Sequence, residues 1–134
     1  INFLSEMKDK YFKGENRKTI IVGDFNIAPL PDDVWSHKAL LNVVSHTKIE
    51  TDLLSEIKNN GKWLDTFREI IPSGKLYSWW SYRARDWKVS NRGRRLDHIW
   101  ASNDLKSKLS RVEIFSEARG WERPSDHVPI LAIF

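Results

Sequence analysis

Cysteine is absent from the 134-residue sequence. The chain therefore has no disulfide framework and no cysteine nucleophile, and any bound metal must be held by oxygen or imidazole ligands. No stretch approaches the roughly 18 consecutive apolar residues that a membrane-spanning helix needs, and residues 1–12 lack the order of a signal peptide. These absences favour a reducing compartment and give no reason to expect a membrane partner.

Apolar residues make up 40% of the sequence, with no low-complexity linker or internal repeat. This is enough for one hydrophobic core, so we expect residues 1–134 to form a single domain or part of one. Helical spacing predicts helices over 2–12 and 51–60, ending near Gly14 and Gly61. Apolar or alternating runs predict strands or short buried elements at 19–22, 64–67, 95–101, 111–115 and 128–134. Helices between strands indicate a mixed α/β (α+β) layered domain.

Positive charge is concentrated in residues 79–95, which also hold three tryptophans and a tyrosine. Six Arg or Lys against one Asp give this segment a net charge of +5, and since the whole chain carries +4, the remainder sums to about −1. Such segments are typical of surfaces that grip a nucleic-acid backbone and pack against bases or sugars. A solvated basic loop is the alternative. The tryptophans outside this segment are expected to serve in packing: Trp35, Trp63, Trp100 and Trp121.

The first candidate motif is Gly23-Asp24-Phe25-Asn26, at the end of a predicted buried strand. Side chains two residues apart in a strand lie on the same side, which would place Asp24 and Asn26 together at a cleft. Aspartate supplies a hard anionic oxygen for Mg²⁺ or activates a water, and asparagine binds a phosphate oxygen without adding negative charge. The alternative is an Asx turn with no chemical role.

The second motif is Ser125-Asp126-His127, directly before the terminal apolar strand. Neighbouring strand residues point in opposite directions, so we expect a carboxylate from elsewhere in the chain to orient the His127 imidazole. Asp126 would then be available to a metal. The alternative is a surface loop with a solvated histidine.

The third candidate is Asp97, which lies between apolar residues in a strand-like stretch. An unpaired buried carboxylate is costly, so Asp97 needs a partner. One interpretation is a structural salt bridge to Arg92 or Arg95, and the other is the orientation of a catalytic histidine.

Five segments containing these candidates resemble, in order, the exonuclease III type of AP endonuclease in the endonuclease/exonuclease/phosphatase superfamily. They are residues 20–29 (IIVGDFNIAP), 64–68 (LDTFR), 78–83 (SWWSYR), 91–99 (NRGRRLDHI) and 124–129 (PSDHVP). The likeness covers nearly the whole chain. It implies a DNase I-like layered β-sandwich with outer helices.

The resemblance also implies a role for each catalytic candidate. Asp24 resembles the aspartate that activates the attacking water, and Asn26 the asparagine that binds the phosphate. His127 resembles the histidine that contacts the scissile phosphate, with Asp97 holding its imidazole. Asp126, together with Asp24, resembles the carboxylates on the metal-bearing side.

Substrate contacts are implied for five further residues. Trp79 and Leu96 match positions that line the pocket for a base-less sugar. Arg94 lies where the family often has another bulky apolar residue. Arg83 and Arg92, in the basic segment, are expected to contact the DNA.

The implied activity is DNA repair: Mg²⁺-dependent hydrolysis, with Mn²⁺ as the alternative ion, of phosphodiesters 5′ to abasic sites, and 3′ to 5′ exonuclease action. The implied partner is double-stranded DNA with abasic sites or 3′ ends, and the expected location is the cytoplasm, at the nucleoid in a bacterium. Two other functions stay open. One is a DNA-binding fragment without catalysis, and the other is a different phosphodiesterase or phosphatase of the superfamily.

No segment matches the family's early strand with its asparagine, the Gln-Glu that supplies the principal metal ligand, or a later tyrosine near the phosphate. We therefore expect the chain to correspond to the C-terminal half of the domain. Half of a two-sheet sandwich exposes an apolar face. The resulting hypothesis is that the chain pairs with an N-terminal half or self-associates through that face, and that it is weakly active or inactive alone.

Overall fold

The computed structural model describes residues 2–11 and 18–134. Within them, seven strands form three antiparallel sheets, in the orders β1–β5–β2, β3–β4 and β6–β7. The strands are β1 (Ile20–Asp24), β2 (Trp63–Asp65), β3 (Trp79–Trp80), β4 (Gly93–Arg94), β5 (Asp97–Ser102), β6 (Arg111–Ile114) and β7 (Ile130–Ile133). The expected strands near residues 19–22, 95–101, 111–115 and 128–134 are confirmed.

The described chain has five α-helices, of which one precedes β1 and the other four lie between strands. They are α1 (Asn2–Tyr11), α2 (His37–Leu40), α3 (Lys48–Asn60), α4 (Thr66–Ile70) and α5 (Trp87–Ser90), with 3₁₀ turns at Pro31–Asp33, Asn103–Lys108 and Ser116–Gly120. The α/β prediction is confirmed, whereas the expected helix end at Gly14 lies outside the described residues. None of these helices is both long and apolar enough to cross a bilayer.

Helix α3 begins three residues earlier than the spacing predicted. Thr47 is its N-cap, and the Glu50 carboxylate accepts hydrogen bonds from the Thr47 backbone N–H at 3.1 Å and hydroxyl at 2.7 Å. The first of these bonds satisfies a backbone N–H at the start of the helix, where intrahelical partners are lacking. The helix ends as predicted, at Gly61, whose N–H donates to the Ile57 carbonyl.

Helices α1 and α3 pack on one side of the β1–β5–β2 sheet and form the largest core. Its fully or nearly buried members are Leu4, Met7, Phe25, Ile27, Leu54, Ile57, Trp63 and Trp100. The expected packing roles of Trp63 and Trp100 are therefore confirmed. Trp121, expected in packing, is instead 64% exposed.

A second buried layer is ionic and is organised by Arg95, whose side chain is only 1% exposed. Its Nε and Nη2 donate to Asp33 at 2.8 and 3.0 Å, and its Nη1 and Nη2 donate to Asp65 at 3.0 and 2.7 Å. Arg68 adds a further bond to Asp33 at 2.5 Å. The network ties the 3₁₀ turn before α2, the start of α4 and the loop before β5 to one another.

Burial alone would raise the pKa of Asp65, but the charge and hydrogen bonds of Arg95 outweigh it and lower that pKa below its usual value. Asp65 therefore stays ionised inside the protein, where a charge persists only with close partners.

Candidate active site

Three candidate residues from separate motifs meet where β1 ends and β5 begins. The β1–β5 register places Asp24 directly opposite Asp97. His127 reaches the same place because the chain before β7 forms a β-bridge to Trp79 on β3. One ligand atom from each of the three residues lies within 4.8 Å of the others.

The His127 imidazole lies between the two carboxylates. Its Nδ1 is 2.9 Å from Asp97 Oδ2, and its Nε2 is 3.8 Å from Asp24 Oδ2. A carboxylate only accepts hydrogen bonds, so Nδ1 carries a proton and the tautomer and ring orientation are set by Asp97. The orienting carboxylate thus comes from elsewhere in the chain and not from the adjacent Asp126.

Asp97 is not part of a structural salt bridge with either arginine considered from the sequence. Arg95 is held by Asp33 and Asp65, and the Arg92 guanidinium lies 4.7 Å from the centre of the Trp35 ring. Of the two interpretations of Asp97, the geometry therefore favours the orientation of a histidine over a structural salt bridge.

Burial tends to lower the pKa of His127, but the hydrogen bond and charge of Asp97, with the charges of Asp24 and Asp126, raise it above the ordinary value. The imidazole is less than one-third exposed. A raised pKa keeps a larger share of the imidazole protonated near neutral pH. The protonated His127 imidazole can thus donate a hydrogen bond to a phosphate oxygen.

Ser78 is a site residue without a role among the sequence predictions. Its buried hydroxyl donates to Asp97 Oδ2 at 2.6 Å and accepts from the backbone N–H groups of Leu96 and Asp97, each at 3.0 Å. The hydroxyl therefore fixes the same oxygen that contacts His127. Only its place in the motif 78–83 could have drawn attention to it.

Asp24 and Asn26 are joined by an Asx turn. The Asn26 N–H donates to Asp24 Oδ1 at 2.8 Å, and Asn26 has a left-handed backbone with φ of +54°. The strand ends at Asp24, so the period-two argument for placing the two side chains together does not apply. The turn and the site coexist, because Asp24 Oδ2 remains directed towards His127.

Asp126 holds an aromatic ring of the site. Its Oδ2 accepts a 2.9 Å hydrogen bond from Trp79 Nε1, and its charge contributes to the raised pKa of His127. Among the residues that the structure describes, Asp126 is not a member of the three-residue group that can hold an ion. A metal-binding role for Asp126 stays a prediction.

The Asp24, Asp97 and His127 donors fit a divalent metal ion in chemical type. Two carboxylates and an imidazole suit Mg²⁺ or Mn²⁺, whose remaining positions are filled by water or substrate phosphate. Asp97 Oδ2 accepts the bonds from His127 and Ser78, and Asp24 Oδ1 accepts the bond from Asn26, so each carboxylate keeps one oxygen without a hydrogen bond from the described residues.

Next to this group lies a cleft of about 650 Å³ that we call the arginine cleft. The cleft is lined by all five residues predicted to contact substrate, namely Trp79, Arg83, Arg92, Arg94 and Leu96. Asn26 and Trp35 line it as well. The Arg94 guanidinium lies 5.4 Å from the centre of the Trp79 ring, and Arg94 Nη1 donates to the Val44 carbonyl at 3.0 Å. Trp35, expected only in packing, takes part through its stacking with Arg92.

Comparison with known proteins agrees with this arrangement. The sequence profile of the Endonuclease/Exonuclease/phosphatase family matches residues 6–127. The chain belongs to this family. Among characterised members, it is 30% identical to the exodeoxyribonuclease III of Haemophilus influenzae over 138 residues, covering 93% of this chain and 50% of that protein. It is 32% identical to an exodeoxyribonuclease of Bacillus subtilis, covering 87% of this chain and 44% of that protein.

Solved structures of the family show the same fold. An AP endonuclease from Archaeoglobus fulgidus superimposes with a TM-score of 0.93 at 28% identity, over 99% of this chain and 52% of that one. The 3′ phosphatase NExo from Neisseria, bound to a product DNA hairpin, gives a TM-score of 0.83 at 30% identity, over 98% and 48%. The match to the DNase I-like AP endonuclease fold is confirmed, and the chain spans about half the length of these relatives.

Proposed function

We propose that this chain supplies catalytic residues of a metal-dependent DNA phosphodiesterase that cleaves 5′ to abasic sites and removes nucleotides 3′ to 5′ during base excision repair. The observation that carries the proposal is the His127 imidazole between Asp97 and Asp24, at the edge of a cationic aromatic cleft. A protein that only binds DNA has no need of this carboxylate–imidazole–carboxylate arrangement.

In the proposed reaction, Asp24 accepts a proton from a water that attacks the phosphorus atom. The oxygen of that water forms a bond to phosphorus as the bond to the leaving sugar oxygen breaks, and the leaving oxygen takes a proton from solvent. Protonated His127, oriented by Asp97, donates to a phosphate oxygen and stabilises the charge that develops there. Asn26 binds a further phosphate oxygen through its amide.

The proposed ion is Mg²⁺, with Mn²⁺ as a substitute, held by Asp24 and Asp126. When bound, such an ion neutralises charge on the phosphate and positions the attacking water. The carboxylate-rich surroundings of His127 support an ion at this place, since they would otherwise concentrate negative charge where a phosphate must enter.

The proposed partner is double-stranded DNA with abasic sites or 3′ ends, met in the cytoplasm. Support comes from the +5 charge of residues 79–95, from the arginines that line the cleft, and from relatives named as exodeoxyribonucleases and AP endonucleases.

We also propose that further protein covers the outer faces of β1 and β7, either a segment corresponding to the rest of the family domain or a second copy of the chain. In support, large apolar side chains on these strands are exposed, with Val22 65% exposed and Ile20, Leu131 and Ile133 36–46% exposed. Size-exclusion chromatography of this chain tests the proposal. A compact, stable and active monomer would refute it.

The activity is tested with the complete protein on an abasic duplex and on a duplex with a recessed 3′ end, with Mg²⁺ or with EDTA. We expect cleavage only with metal, and a loss of about 10²- to 10⁴-fold in kcat for Asp24→Asn, because a neutral amide cannot accept the proton from water. The matched control is Asp52→Asn, the same change at an exposed position of α3, which should retain activity.

Full activity of Asp24→Asn would remove the assignment of that residue. Salt-sensitive binding to DNA without any metal-dependent cleavage would instead establish the binding-only alternative. Cleavage of inositol phosphates or sphingomyelin in preference to DNA would assign the chain to another branch of the family.

A further inference from the structure

The arginine cleft differs from an apolar sugar pocket because a cation already lies on its main aromatic ring. Arg94 is half-buried and stacks over Trp79, while Leu96 closes the cleft with an apolar surface. A guanidinium over an indole face is held by the ring's negative electrostatic potential. A neutral sugar that packs against Trp79 would have to displace this contact.

The cleft carries unbalanced positive charge. Arg83, Arg92 and Arg94 line it, and none of the three has a carboxylate within 4.0 Å in the described parts of the chain. Burial lowers the pKa of Arg94, as expected for a cation removed from water without an acidic partner. In the described parts of the chain, its side chain makes one hydrogen bond, from Nη1 to the Val44 carbonyl, so donors of the planar fork remain available for an anion.

The position of the cleft determines which part of a substrate meets these charges. The cleft begins at Asn26, beside Asp24 and His127. A phosphodiester bound beside Asp24 and His127 would carry one negative charge and would continue into a further sugar towards the cleft. A phosphate monoester at a strand end carries about 1.5 to 2 negative charges at neutral pH and places no sugar there.

We propose that Arg94 is a specificity-determining residue that favours a 3′-terminal phosphate on DNA over an internal diester followed by a base-less sugar. The inference rests on the proposed function and extends the substrates of the same site to 3′-terminal phosphate monoesters, which it hydrolyses in preference to diesters at abasic sites. The guanidinium stacked on Trp79 attracts the additional charge of the monoester and occupies the surface on which a base-less sugar would pack.

The test compares kcat/KM of the complete protein for two duplexes of one sequence, one ending in a 3′ phosphate and one containing an abasic site. Wild type should favour the 3′ phosphate, and Arg94→Leu should reduce that preference by about tenfold, mainly through KM for the phosphate-ended duplex. Arg94→Lys should keep part of the preference, because it retains the charge but loses the planar stack.

The matched control is Arg85→Leu, which removes the same charge from an exposed residue of the same segment that does not line the cleft. This variant should lower kcat/KM for both duplexes alike and leave the ratio of the two values unchanged, because long-range attraction to DNA does not distinguish the duplexes. A ratio for Arg94→Leu within about twofold of wild type, or an equal change in the control, would overturn the inference.

A binding measurement separates this inference from the proposed activity. In EDTA, fluorescence anisotropy with duplexes that differ only in a 3′ phosphate or 3′ hydroxyl should show tighter binding of the phosphate, and Arg94→Leu should abolish the difference. If no substrate is cleaved but this difference is found, the proposed activity fails and the specificity of the cleft stands. Equal binding of both duplexes by wild type refutes the inference.

Discussion

The buried arginine network makes a strong prediction about stability. Arg95→Met keeps much of the volume and apolar stem of the side chain but leaves Asp33 and Asp65 without four hydrogen bonds from one guanidinium. Asp33 is fully buried and Asp65 nearly so, so water cannot replace those bonds. Removing one partner from a buried ion pair costs about 3–5 kcal/mol, and we expect the free energy of unfolding to fall by that amount.

The measurement is urea unfolding followed by far-ultraviolet circular dichroism, with the free energy extrapolated to zero denaturant. Lys48→Met is the matched control, because Lys48 pairs with Asp52 on the surface with its side chain 83% exposed. That pair contributes at most about 0.5 kcal/mol. Arg95→Lys should lie between the two, since it keeps the charge and loses the bidentate geometry. A loss below about 1 kcal/mol for Arg95→Met would show that the network does not stabilise the fold.

Two further predictions concern Ser78 and His98. Ser78→Ala should lower kcat by about tenfold and move the pH profile of kcat/KM to higher pH. The reason is that Asp97 loses a hydrogen-bond donor and becomes a stronger partner for protonated His127. Ser78→Thr keeps the hydroxyl and should restore the profile. His98 is fully buried on the opposite face of β5, and burial and the charge of Arg95 lower its pKa to about 4. The folded state favours the neutral imidazole. The resulting contribution to the free energy of unfolding is fully present above the unfolded pKa of 6.5. It is lost, by about 1.4 kcal/mol per pH unit, as the pH falls from 6.5 towards 4. Urea unfolding in EDTA should show a flatter pH dependence for His98→Gln, and an unchanged dependence would contradict the argument.

The parts of the fold that followed from the sequence are those with a local pattern. Continuous apolar runs marked β1 and β7, and the regular spacing in α3 gave its C-terminal end. Strands β3 and β4 are only two residues long, too short for any periodicity. The partners of Arg95 were not foreseen, because Asp33 and Asp65 lie 62 and 30 residues away and nothing local links their charges.

The same contrast holds for the site. The residue types at Asp24, Asp97 and His127 indicated hydrolytic chemistry, but their distances depend on the β1–β5 register and on the bridge between His127 and Trp79. The hydroxyl of Ser78 has no sequence signal, since a serine in a motif resembles any other. From the sequence, a turn at Asn26 is an alternative to a catalytic role of Asp24, whereas the structure contains both the left-handed turn and the contact of Asp24 with His127.

Three residues close together in the sequence, at positions 94, 95 and 97, have different roles in the structure. Arg94 faces the cleft, Arg95 is bound to two aspartates in the interior, and Asp97 holds His127. The backbone at position 94 pairs with Trp79 and accepts from the Ser78 N–H, whereas its side chain contacts the Trp79 ring and donates to the Val44 carbonyl. Strand pairing at position 94 uses backbone groups, so a change of its side chain leaves that pairing and the contacts of Arg95 and Asp97 in place.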